Sequence, residues 1–587
     1  MPHDDMKHVY EPNVSLKTRD GVTLVADVWR PLEGQAPTLL VRSPYDRRTA
    51  FHFGSQTGNT PSLMSLVNAG YAVVVQDARG TGASEGDFEP KVNEIADGQD
   101  TVAWVREQSW SDGTVAMYGA SYWGMVQWAL AISETPGLRA IAPSVAAADW
   151  YTNLWYSQGG AMSLSLNTFW NAMMYAGQEQ RSLALGTTQD PATLYRLGGS
   201  LLDPLPLNDA TPIADLPVHG TGRWFDDWIA HPDFDEYWKS QDWSGPEFMS
   251  KVDVPVLSIG GWYDLKINGT VEGFLGVRTQ GGSEDARDKS RLLIGPWAHV
   301  EFSARFADRY FGIPAEIDTT AEHIAFFDEH LRGISPATPA PRVRIFVMGI
   351  DQWRDEVDWP LPDTQYTDCY LNSAGSAATR HGDGSLQAAA PTADSHDGFT
   401  YDPRDPVPTA GGALLPAEPG LVGPVDQSVV DGREDILCYA TPVLEESLEV
   451  TGHVELKVFV SSSAVDTDIT AKLVDVFPDG RAINLCDGML RLRYRDDLSN
   501  PRPLIPGEVY EVTVKLGVTS NVFLPGHRIR LDVSSSNFPR YDRNTNTGGF
   551  IAHETEEQMV PAINHIHHGP GHPSRLVLPI IGRKDQR

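Results

Sequence analysis

Thr114-Val115-Ala116-Met117-Tyr118-Gly119-Ala120-Ser121-Tyr122-Trp123-Gly124 is the stretch on which the reading of this chain turns. A short apolar run with the character of a buried strand meets a Gly-x-Ser turn and continues into Met125 to Leu130, which is helix-compatible. That is the layout of a nucleophile elbow, a tight strand-to-helix turn that lifts a serine hydroxyl above the end of a sheet. The helix beginning there would aim backbone N–H groups and its positive end at an oxyanion formed beside Ser121. The generic pattern carries its second glycine two residues after the serine; here Trp123 stands in that place and Gly124 follows. On spacing alone an ordinary strand–turn–helix stays open, so the rest of the chain has to supply the chemical partners.

Working outward from the elbow, buried strands recur. Thr38 to Arg42 and Tyr71 to Gln76 are continuous apolar runs of the kind covered on both faces of a parallel sheet, and each ends in a polar, turn-rich loop. Val14 to Leu16 and Val22 to Val28, around Asp20-Gly21, predict an opening antiparallel hairpin. Ile95, Val102 and Val105 suit an amphipathic helix before the elbow strand, and Leu138 to Pro143 predicts another strand after it. Strand and helix thus alternate as in a doubly wound α/β sheet.

From residue 148 to 244 the alternation lapses, and this stretch holds seven of the sixteen tryptophans. It reads as a helical insertion with Ala161 to Tyr175 among its helices; most of its tryptophans are expected in its core and one or two at a substrate pocket. The α/β pattern then resumes. Val254 to Gly261 leads into Trp262-Tyr263-Asp264, and Arg291 to Ile294 leads into Gly295-Pro296-Trp297-Ala298-His299. Both place a titratable side chain just past the carboxyl end of a strand, where open α/β sheets keep their sites. Thr319 with Glu322 predicts a capping box for a helix over 320–331, and Pro336, Pro339 and Pro341 mark a linker. The remainder gives short alternating runs separated by turns, an all-β sandwich or jelly roll, with Ser373 to Asp397 as a long surface loop. The division expected is an α/β-hydrolase domain over 1–147 and 245–360, a helical cap over 148–244 and a β domain over 361–587.

At 587 residues several domains are required, and 41% hydrophobic with 21% charged residues is an ordinary globular composition. A formal net charge of -32 argues against nucleic acid, whose phosphates need a basic surface. No apolar run reaches membrane-spanning length and the first residues carry no secretory pattern. Cys369, Cys438 and Cys486 are read as free thiols, which with the missing leader gives a cytoplasmic expectation.

Ser121, Asp264 and His299 stand in the chain order nucleophile, acid, histidine of α/β-hydrolases. A serine hydroxyl is too weakly acidic to attack an acyl carbon unaided; a histidine must take its proton, and a carboxylate must fix the imidazole tautomer. The oxyanion hole is expected from the N–H of Tyr122 and the phenol of Tyr45 in the loop after an early strand.

Gly119-x-Ser121-Tyr122-x-Gly124, Gly261-Trp262-Tyr263-Asp264, Gly295-Pro296-Trp297-x-His299 and Phe523-Leu524-Pro525-Gly526-His527-Arg528 together resemble the CocE/NonD group of hydrolases, which shares its fold with the X-Pro dipeptidyl peptidases. Phe346 to Asp351 and Ser534 to Pro539 extend the resemblance over nearly the whole chain. In that group the elbow reads Gly-x-Ser-Tyr-x-Gly, which accounts for Trp123. The resemblance implies the hydrolase, cap and jelly-roll architecture, a carboxylesterase working through an acyl-enzyme without metal or cofactor, and a small-molecule ester as substrate; a homo-oligomer is left open. It further implies an acyl pocket of Gln56, Trp155, Trp170, Leu265, Leu414 and Leu415. The esterases of the group carry an aromatic residue near that leucine pair, where this chain has Pro416, and Gly-Phe just past the acid, where it has Leu265-Lys266.

Three other readings are kept. The α-amino acid ester hydrolases of this fold place carboxylates two and three residues past the acid, where this chain has Lys266 and Ile267. An X-Pro peptidase needs an anionic subsite, for which Asp149, Asp226 and Asp227 are the candidates. A carbohydrate-binding jelly roll beside an inactive hydrolase is the remote third. His565, His567, His568 and His572 are read as a solvated loop, not a metal site.

Overall fold

The computed structural model describes residues 8–48, 58–184, 212–216, 223–415 and 421–582, apart from the side chains of residues 183, 184 and 223. Ten strands up to Glu356 form one sheet: β1 (His8–Lys17), β2 (Thr23–Pro31), β3 (Ala36–Ser43), β4 (Ala72–Asp77), β5 (Ser111–Ala120), β6 (Leu138–Ser144), β7 (Leu257–Tyr263), β8 (Arg291–Ala298), β9 (Val343–Val347) and β10 (Gln352–Glu356). Their spatial order is β1-β2-β4-β3-β5-β6-β7-β8-β9-β10. From β4 to β9 neighbouring strands are parallel, and the antiparallel strands lie at the two edges. The core strands β3, β4 and β7 are buried at every position, as continuous apolar runs require when helices cover both faces.

The order has a consequence for chemistry. From β3 the chain moves to β4 on one side and then returns to place β5 on the other, so the connections leave β3 and β5 in opposite directions. The crevice at the carboxyl ends of these two strands is the switch point at which open α/β sheets hold their ligands.

The insertion is built on a helix over Leu164–Ala184, longer than the sequence pattern indicates, and a shorter one over Arg223–Ala230. Its tryptophans form an aromatic stack. Trp155 lies face to face with Trp228 at 3.9 Å, and Trp170 is tilted against Trp155 at 5.1 Å. Eleven further strands between Thr364 and Ile581 make a predominantly antiparallel second sheet, giving an α/β domain followed by a β domain. The two are stitched edge to edge: Met348 exchanges backbone hydrogen bonds with Ser520 and Val522 at 3.0 and 2.8 Å.

Three local expectations are corrected. The helix over Thr319–Arg332 is capped by Asp318, whose side chain accepts from the Thr320 N–H, and not by Thr319. Ser373 to Asp397 is not one surface loop, because it contains the strand Ser385–Gln387 and the start of Ser395–Tyr401. His565, His567 and His568 lie on the strand Ala562–His568 rather than in a loop, with His568 buried and 3.0 Å from Asp397. Among the described residues no three His, Cys, Asp or Glu side chains converge as a metal site, and no helix is long and apolar enough to cross a membrane. The three cysteines are free thiols.

Candidate active site

The elbow forms because two close approaches exclude side chains. A Cβ at Gly119 would come within 2.6 Å of the Trp123 Cβ, and one at Gly124 within 2.5 Å of the Ala146 Cβ on the segment after β6. Trp123 is therefore packed down over the turn, and its indole N–H reaches across to the Ser43 hydroxyl at the end of β3, 3.1 Å away. Between these anchors Ser121 is held at φ 58° and ψ −123°, a conformation that costs about 1–3 kcal/mol for a residue with a side chain. It caps the helix Tyr122–Ala131 and stands half-buried at the mouth of the crevice.

The structure brings the sequence-predicted triad together. Asp264 follows β7 directly and is fully buried; one carboxylate oxygen lies 2.7 Å from His299 Nδ1, and His299 Nε2 lies 2.9 Å from Ser121 Oγ. The histidine loop is pinned behind the ring: Asn59 donates to the His299 carbonyl at 3.0 Å, and Trp297 donates to the Ala315 carbonyl at 2.8 Å. Burial lowers the His299 pKa below its ordinary value, against the opposing pull of Asp264. The imidazole is thus neutral at pH 7, with Nε2 as the acceptor that a general base requires.

Tyr45 lies in the loop after β3, and its hydroxyl hydrogen-bonds Ser121. Burial pushes its pKa up to about 12, so the phenol keeps its proton. The Trp170 indole, a donor only, gives its N–H to the Tyr45 oxygen at 3.0 Å. With its oxygen engaged there, the phenol is left to donate its own hydrogen toward the nucleophile. Tyr122 is the first helical residue, so its N–H has no intrahelical acceptor and points out of the helix end. The Tyr122 ring is buried; its hydroxyl donates to Glu94 at 2.9 Å and accepts from the Lys91 N–H at 3.1 Å. Tyr45→Phe is expected to lower kcat on 4-nitrophenyl acetate by roughly 10²–10³-fold, the usual loss for one oxyanion donor. Stopped assays beside a thermal melt check it, since a loss of folding would appear in the melt.

Of the expected pocket residues, Trp155, Trp170, Leu265 and Leu415 share one apolar cluster, and Leu414 is buried outside it. A cavity of about 60 Å³ opens beside Leu265 and Leu415, between cap, hydrolase sheet and β domain. Trp170 is not among the residues lining that cavity; its indole orients Tyr45. Gln56 and Pro416 lie outside the described residues. Of the carboxylates considered for an anionic subsite, Asp149 accepts from the Tyr151 and Thr152 N–H groups at 2.7 and 3.2 Å in its own turn, and Asp226 and Asp227 lie on the helix Arg223–Ala230. The residue that sequence reasoning left without a role is Lys266. It is 2% exposed, and its Nζ donates to Ser121 Oγ at 3.0 Å.

Comparison with known proteins identifies the family. The family described as X-Pro dipeptidyl-peptidase (S15 family) matches residues 20–301, and the X-Pro dipeptidyl-peptidase C-terminal non-catalytic domain matches residues 336–577. A cocaine esterase from Rhodococcus sp. (strain MB1 Bresler) is 49% identical over 579 residues, covering 97% of this chain and 98% of that protein. The chain belongs to the S15 family. As an S15-family member it is a hydrolase, and its matched N-terminal segment spans Tyr45, Ser121, Tyr122, Asp264 and His299. An aminopeptidase from a marine sediment archaeon (Thaumarchaeota archaeon) superimposes with a TM-score of 0.81 at 25% identity, over 99% of this chain and 98% of that one. A CocE/NonD family hydrolase from Staphylococcus aureus shares the S15 fold with a TM-score of 0.69 at 20% identity, over 98% and 94% of the two chains.

Proposed function

We infer that the chain is a serine carboxylesterase that cleaves small-molecule esters through an acyl-enzyme. The observation that carries this is the hydrogen-bonded relay Asp264–His299–Ser121, at 2.7 and 2.9 Å, with the Tyr45 phenol on the same hydroxyl. Ser121 Oγ attacks the acyl carbon while its proton passes to His299 Nε2, and Asp264 stabilises the imidazolium so formed. The oxyanion accepts from the Tyr45 hydroxyl and the Tyr122 N–H. Collapse of the tetrahedral species returns the proton from His299 to the leaving alcohol, and water repeats the cycle to release the acid. In that second half water gives its proton to His299 as it bonds the acyl carbon, and His299 returns the proton to Ser121 Oγ as the acid leaves.

The cocaine esterase relative supports an ester over an amide, and Lys266 supports it from within the site: a buried cation beside the nucleophile repels the free ammonium that an aminopeptidase or an amino-acyl esterase must seat. We assign residues 1–147 and 245–360 to the catalytic domain, 148–244 to the cap and 361–587 to the β domain. The three unpaired cysteines favour the cytoplasm, and the charge of -32 disfavours nucleic acid. The test is a panel of an aryl ester, an alkyl ester, an amino-acyl ester and an Ala-Pro anilide assayed on the purified protein. Turnover of the simple esters at the highest kcat/KM is expected; preference for the anilide would make the protein a peptidase.

A further inference from the structure

Acyl transfer as written above makes no use of Lys266, although this residue touches the nucleophile. It lies on the turn between β7 and the helix Ile267–Gln280, where its carbonyl accepts from the Thr270 N–H at 2.8 Å and so fixes the backbone from which the side chain projects. As the residue capping that helix, it adds an ammonium to the positive end of the helix dipole, a place where cations are ordinarily avoided. Among the described residues no carboxylate comes within 4.0 Å of its Nζ, and Ser121 Oγ takes one of its three hydrogens. Asp264, two residues away, directs its bonded oxygen at His299. Burial lowers the Lys266 pKa to about 8, so the group is still mostly charged at neutral pH. Asp264 pulls that pKa upward but makes no direct ion pair with Nζ, so the buried ammonium is only partly compensated, and an anion entering beside it relieves the remaining cost.

The geometry points to a substrate whose acyl portion carries a carboxylate, with Lys266 as the cation that selects it. The inference rests on the serine esterase reading and names its substrate class: monoesters of short dicarboxylic acids. The acyl side is indicated because the acyl carbon becomes bonded to Oγ, 3.0 Å from Nζ, so a carboxylate one to three carbons along the acyl chain passes the ammonium. The leaving alcohol departs instead toward His299 Nε2, which must protonate it. Leu265 and Leu415 supply the apolar wall along which the methylene groups would lie.

The experiment compares monoethyl succinate with ethyl butyrate at pH 7 in a pH-stat, using the wild-type protein, Lys266→Met and Lys266→Arg. The wild type is expected to favour the anionic ester by about 10–100-fold in kcat/KM, the range of a charge-assisted hydrogen bond. Lys266→Met should collapse that ratio to one or below, and Lys266→Arg should keep most of it. Without any variant, succinate should inhibit the wild type competitively at lower concentration than butyrate. A wild-type ratio of one or less, a ratio unchanged in Lys266→Met, or equal loss on both esters in that variant overturns the assignment. Hydrolysis of 4-nitrophenyl acetate and its loss in Ser121→Ala are measured alongside. If those hold while the anionic preference is absent, only the role of Lys266 falls; if the acetate is not cleaved, the esterase reading falls.

Discussion

Ser121→Ala should lower kcat on 4-nitrophenyl acetate by roughly 10⁴–10⁶-fold, the scale on which a triad nucleophile is missed when the rest of the site survives. The hydroxyl is the group proposed to bond the acyl carbon, with His299 Nε2 at 2.9 Å to accept its proton. What persists in the variant comes from the oxyanion donors and from binding, acting on water. The fold should be untouched, because alanine keeps the Cβ, and the backbone at φ 58° is imposed by the packing of Trp123 and Gly124 rather than by the hydroxyl. Kinetics together with far-UV circular dichroism check this. Residual activity within tenfold of wild type would move the nucleophile elsewhere.

Asp264→Asn should cost about 10⁴-fold in kcat, for a different reason. The carboxylate accepts from His299 Nδ1–H and thereby leaves Nε2 free to receive the serine proton; an amide can turn its NH₂ toward the ring and hold the opposite tautomer. The pH profile should move as well. In the wild type burial pulls the His299 pKa down while Asp264 pulls it up. Removing the carboxylate deletes the upward pull, so the imidazole protonates only at lower pH and the acid limb of kcat/KM shifts downward. A pH–rate profile of both proteins tests the sign, and an acid limb displaced upward would contradict the coupling.

The order of Ser121, Asp264 and His299 was legible because each follows a buried strand, and strand ends are marked by apolar runs that stop at glycine, proline or a charge. The elbow's unusual spacing was legible only as a deviation. The hydrogen bond that seats Trp123 joins the elbow helix to Ser43 at the end of β3, 80 positions earlier, and leaves no local trace. The helix cap at Asp318 instead of Thr319 shows the limit of one-residue resolution, since adjacent Asp and Thr are both competent caps and tertiary packing chooses between them. The histidine strand escaped because His565 and His567 read as polar while His568 is buried; its burial depends on Asp397, 171 positions away. Lys266 was visible as an odd residue past the acid, but its nearness to Ser121 follows from the turn after β7, not from any motif.

The hydrogen bond from Trp170 to Tyr45 ties two properties that enzymes of modular build often keep apart. The buried aromatic stack of the insertion also sets the rotor of the phenol proposed as an oxyanion donor. On the proposed mechanism, repacking that stack would disturb the donor as well, and a graft of a foreign insertion would arrive with the Tyr45 phenol unoriented. The packing of the insertion and the orientation of that phenol are inherited together.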